Sequence, residues 1–231
     1  THAQWFAAQG CARYMDLTGC DLDATPGNGI LCEGYPWPNQ VADCTTARNR
    51  YFSDRTVEVG AIFASMVGSE RLVRVMGGWN QPNYNRSLLE HNDNFNGVDA
   101  IAFPTYFGGY IPSNLNNAEI LQQWLDEGGQ ALALERVFQE LLEGNVLRPY
   151  YLPGGAFYDP ARPGWQLPPV NGSIPAMLEQ TAGNVALARE FGLSPVSYEG
   201  GHHLDVTVNA NSTSIRELML AAGRDPRMAT S

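Results

Sequence analysis

Three times along the chain a short apolar run stops at a pair of glycines. Leu72-Val73-Arg74-Val75-Met76 ends at Gly77-Gly78. Val98-Asp99-Ala100-Ile101-Ala102-Phe103 leads through Pro104-Thr105-Tyr106-Phe107 to Gly108-Gly109. Pro195-Val196-Ser197-Tyr198-Glu199 ends at Gly200-Gly201. Runs of this kind read as strands feeding loops. Between and around them, apolar residues recur at helical spacing over 46–67, 86–95, 117–142 with a break near Gly128-Gly129, 173–191 and 212–222. Pro175 suits a first helical turn, and Ser212 or Thr213 suits a cap. Residues 2–15 are helix-compatible too. Strand–helix alternation at this spacing predicts parallel βαβ units, whose chemistry sits at the C-terminal strand ends. A closed (β/α)8 barrel needs eight strands and about 250 residues. Three strands in 231 residues therefore read as part of a larger domain.

Composition narrows the partners. The formal net charge is −10, and all fourteen basic residues are arginine. An acidic chain without basic clusters is a poor ligand for nucleic acid or an anionic membrane surface. No run of eighteen apolar residues offers a membrane span. The opening THAQWFAAQG has neither the basic nor the apolar region of a signal peptide. Cys11, Cys20, Cys32 and Cys44 crowd one Gly- and Pro-rich stretch, 11–44, without a CxxC pair. Two local disulfides fit better than zinc, and they imply an oxidising compartment: secreted, extracellular or periplasmic. Three pairings remain open. A second long loop is expected over 144–172. Asn-x-Ser/Thr triplets occur at Asn85, Asn171 and Asn211 and matter only in a glycosylating host.

Glu199 is the most informative residue. It closes a strand-like run and precedes two glycines, so its carboxylate is expected at the mouth of the sheet, with Tyr198 and His202 near enough to hydrogen-bond. Glycosidases need a fixed carboxylate of this kind to attack or stabilise an oxocarbenium-like centre. The alternative is a strand-end Glu paired with an arginine in a purely structural role.

The strand ends RLVRVMGGWN, VDAIAFPTYFGGY and SPVSYEGGHHL resemble strands five, six and seven of the clan of retaining (β/α)8 glycosidases. The whole chain is also similar to a group of bacterial secreted proteins often labelled cellulose-binding. The resemblance implies a TIM-barrel fold of which residues 1–231 form the C-terminal part, one domain interrupted by the cysteine loop and by 144–172. It places Glu199 at the nucleophile position and Tyr106 at a strand-six aromatic beside it. The clan's acid/base, a Glu following an Asn on strand four, has no match, because the chain contains no Asn-Glu pair. That residue is expected upstream of Thr1.

Trp79, Asn80, Tyr110, His202 and His203 are the expected sugar contacts, Trp79 by stacking. Glu33, beside Tyr35 and Trp37, is a substitute acid by chemistry but reads as a solvated loop carboxylate. His202, His203 and Asp205 do not read as a metal site, since adjacent strand residues face opposite ways. No cofactor is called for, and the oligomeric state stays open. The resulting expectation is a retaining glycoside hydrolase acting on a β-linked glycan. Its alternative is a carbohydrate-binding or scaffold module that keeps a glycosidase-like cleft without turnover.

Overall fold

The computed structural model describes residues 20–22, 30–32, 44–113, 115–162, 167–204 and 212–229. The expected helix over 2–15, and Cys11, Glu33, Asp205 and Asn211, lie outside them. The described residues form five α-helices and five strands. A short antiparallel pair, β1 (Cys20–Leu22) and β2 (Ile30–Cys32), sets the backbone of Cys20 opposite that of Cys32. The oxidation state of the four cysteines lies outside the described residues.

The main sheet has three strands in the order β3 (Val75–Gly77), β4 (Ala100–Phe107), β5 (Ser194–His202). β3 and β4 are parallel, with Val75 opposite Ala100 and Gly77 opposite Ala102. β5 also runs parallel to β4: Ser194 N donates to Asp99 O at 3.1 Å and, further along both strands, His203 N donates to Phe107 O at 2.8 Å. Between those two bonds β5 carries one residue more than β4, a bulge. The fold is thus mixed α/β around a small parallel sheet, the coarse part of the expectation. Closure into a barrel is not seen among the described residues.

Two compact units share the strands, one comprising 1–103 and 184–196, the other 104–183 and 197–231. In the first, α1 (Cys44–Val67), α2 (Pro82–Glu90) and the end of α4 (Ser173–Glu190) contribute to a core that includes Met76, Leu88, Leu89, Ile101 and Leu187. Arg74 clamps Asp99 ahead of β3 and β4, through its backbone N at 2.8 Å and its guanidinium at 2.7 and 3.0 Å. This ion pair sits at the N-terminal ends of the strands, the side where residues serve stability.

In the second unit, α3 (Leu115–Leu142) and α5 (Thr213–Arg224) pack around Trp124, Phe138 and Leu141. α5 buries Ile215, Leu218, Met219 and Ala222, one face of a 3.6-residue period. Ser212 caps it, its Oγ accepting from Ile215 N at 3.4 Å. α3 breaks where expected: Gly129 has φ 67°, a conformation that suits glycine.

Candidate functional site

Every residue of β5, from Ser194 to His202, is exposed. An exposed edge strand tolerates Pro195: Ser194 N points at β4, so the missing N–H of the next residue faces the open edge. Further along, Gly200 lies level with Thr105. A Cβ on Gly200 would collide with the Thr105 hydroxyl and come within 3.1 Å of its carbonyl oxygen. Gly200 and Thr105 therefore meet on one face of the sheet, and their neighbours Glu199 and Tyr106 fall on the other.

The histidines divide in the same way. The His203 ring stacks on Tyr106, with centroids 5.1 Å apart and planes at 22°. The His202 ring lies against α5, close enough that a Cβ on Gly223 would sit 3.1 Å from it. His202 lines a cleft of about 520 Å³ with Leu204, Met219, Arg216 and Arg224. Alternation thus puts Glu199, Tyr106 and His203 on one face, and His202 on the helix-covered face.

Glu199 is exposed, and among the described residues no side chain donates a hydrogen bond to its carboxylate. Ser197 Oγ donates to its backbone oxygen at 3.0 Å. The Tyr106 hydroxyl, expected to orient the carboxylate, shares its face without bonding to it. Among the described residues Glu199 is not paired with an arginine either, so the structural alternative weighed from sequence finds no partner there.

Tyr110, expected among the sugar contacts, is partly buried and spends its hydroxyl on an internal bond. Its hydroxyl donates to the fully buried Glu140 at 2.7 Å. The other Glu140 oxygen accepts from Val146 N at 2.8 Å and Leu147 N at 2.9 Å, so this carboxylate ties down the turn after α3. Burial, and then the Glu140 charge, push the Tyr110 phenol well above its usual range. Glu140 was not singled out in the sequence, where it reads as one more helix-surface acid.

Trp79 and Asn80 belong to the first unit, in the loop from β3 to α2. Trp79 is half exposed, at 50%. Trp79 N donates to Asn85 Oδ1 at 2.7 Å, and Asn85 Nδ2 donates back to Trp79 O at 2.6 Å. Asn85 Nδ2 also donates to Asn184 Oδ1 at 2.7 Å, and Asn184 Nδ2 to Asn80 O at 2.8 Å. Neither Asn85 nor Asn184 was flagged by the sequence as a site residue. Among the described residues, no group of His, Cys, Asp and Glu could hold a metal ion.

No family model, curated protein or solved structure matches the chain.

Proposed function

We propose that the chain is part of a retaining glycoside hydrolase of the (β/α)8 type that acts on a β-linked glycan, with Glu199 as nucleophile. The observation that carries this reading is Glu199 itself: an exposed carboxylate near the C-terminal end of a parallel strand, on the same sheet face as the stacked Tyr106–His203 pair. Active groups of parallel α/β sheets occupy that end. The uncovered edges also suit an arc of a closed sheet. β5 is bare, Val75 of β3 is exposed, and α1 beside it leaves Ile62, Phe63 and Met66 in solvent.

In the proposed reaction the Glu199 carboxylate attacks the anomeric carbon as the glycosidic oxygen leaves. A second carboxylic acid, about 5–5.5 Å away, protonates that oxygen and then, as its conjugate base, deprotonates the water that releases the sugar. The resemblance assigns this acid to the segment preceding Thr1. Oxidation of the cysteines and export from the cytoplasm belong to the same reading.

The test is a glycan-panel assay of the full-length gene product beside its Glu199→Gln variant. The amide keeps the shape but cannot attack, so turnover should fall by several orders of magnitude with binding retained. Undiminished hydrolysis by the variant sinks the assignment. One observation favours the non-catalytic alternative: among the described residues no side chain donates to the Glu199 carboxylate, whereas Trp79 is held on both sides. Glycan binding without turnover by the full-length protein would select that module.

A further inference from the structure

We propose that Asn85 and Asn184 are positioning residues that hold Trp79 as a stacking platform for a neutral glycan. This inference rests on the glycan-processing reading above. Asn85 is fully buried and Asn184 almost so, at 0% and 1% exposure. Burying amide groups is unfavourable unless they find hydrogen-bond partners. Here the Asn85 amide spends its oxygen and one nitrogen proton on the backbone of Trp79, and its other proton on Asn184. Asn184 passes the constraint on to the carbonyl of Asn80. Gly78 completes the seat: its N donates to Ala102 O at 2.6 Å, and a Cβ there would collide with Asn85 Oδ1.

The network thus fixes the backbone on both sides of one residue, and half of that residue's side chain lies in water. An indole ring left in solvent adds little to the core. A ring carried on a backbone already fixed, however, loses less freedom when a ligand lands on it, which is the advantage of preorganisation. Pyranose rings present apolar C–H faces that pack on indole, with hydroxyls around the rim. The stretch 77–85, Gly-Gly-Trp-Asn-Gln-Pro-Asn-Tyr-Asn, offers exposed amides at Gln81 and Asn83 and no charged residue. Amides can donate to and accept from hydroxyls. With a net charge of −10 on the whole chain, an uncharged glycan is favoured over an acidic one.

The test uses the full-length protein labelled with 5-fluorotryptophan, with the Trp79 fluorine resonance assigned by Trp79→Phe. The probes are β-1,4-linked hexasaccharides of glucose, xylose and mannose. At least one should move the Trp79 resonance while that of Trp124, fully buried in the core, stays fixed. Asn184→Ala should weaken binding of that probe by about fivefold or more with the Trp124 resonance unchanged, showing that the fold persists. Asn85→Ser should act more strongly. Should it unfold the protein, Asn184→Ala still decides. A Trp79 resonance silent to all three sugars overturns the platform, as does unchanged affinity in Asn184→Ala. Hydrolysis with a silent Trp79 refutes this inference alone, and a responsive Trp79 without hydrolysis refutes the catalytic reading alone.

Discussion

At the scale of single residues, the sequence exposes reactive chemistry better than supporting chemistry. Glu199 stands out because a carboxylate at a strand end next to glycines is unusual. Asn85, Asn184 and Glu140 do not, because a polar residue in a helix reads as surface until the fold buries it. Asn85 even resembles a glycosylation acceptor, yet its amide nitrogen is spent on Trp79 and Asn184. Tyr110 was expected among the sugar contacts, and its hydroxyl instead serves Glu140. Tyr110→Phe should therefore lower stability by about 1–3 kcal/mol, the usual range when a buried group loses a partner. Urea unfolding measures this, and an unchanged midpoint would show that the bond contributes nothing. Glu140→Gln should also destabilise, because one of its oxygens becomes an amide donor facing either a phenol or two backbone N–H groups.

At the scale of elements, the helices and the parallel order of the strands were legible, and the strand ends were less so. β4 was expected to stop at Phe103, before a proline, but it continues to Phe107. Ala102 accepts from Gly78 N on the β3 side, so Pro104, two residues on, also faces that side, beyond the end of β3. Its missing N–H therefore breaks no β3–β4 ladder bond. β3 is shorter than its apolar run because 69–71 turns as a 3-10 helix and Leu72–Arg74 only lead into the strand. Tight contact between β4 and β5 makes Gly200 testable. Gly200→Ala should destabilise by about 1–3 kcal/mol, as overpacking does, and Thr105→Ala should recover part of that loss in the double variant. Strict additivity would mean that the two residues do not meet. The β1–β2 register yields another expectation, that Cys20 is linked to Cys32 in protein made in an oxidising compartment. Directly opposed antiparallel residues lie about 4.5–5.5 Å apart at Cα, within the span of a disulfide. Cleavage before Asp16, Asp21, Asp23, Asp43 and Asp54 puts each cysteine in its own fragment, so unreduced mass spectrometry reads the link directly. Four alkylatable thiols would remove the main argument for export.

At the scale of the whole molecule, acid should be the weak side. Arg74 bonds hold Asp99 down to about 2. Burial would raise Asp54, but bonds from His91, Asn94 and Asn92 outweigh it and leave it lowered. Glu127, Glu190 and Asp225 are lowered by bonds from Gln123, Arg86 and Arg227 respectively. A carboxylate lowered by folding binds fewer protons folded than unfolded. Its contribution is present above the unfolded value, about 4, and is lost as pH falls through the folded one. The melting temperature should therefore decline from about pH 5 toward pH 2, modestly for each exposed pair, and Asp99→Asn should flatten the lowest part of the curve. A melting temperature that rises on acidification would contradict these pairings. The bulge in β5 has its consequence in the gene. Losing one codon between 195 and 198 would remove the extra residue, even out the pairing with β4 and leave Glu199 on its present face, since Gly200 would still meet Thr105 and His203 would still meet Phe107. Such an allele would keep the carboxylate on the Tyr106 side, so a shortened strand would pass both an expression screen and a test of what the protein does.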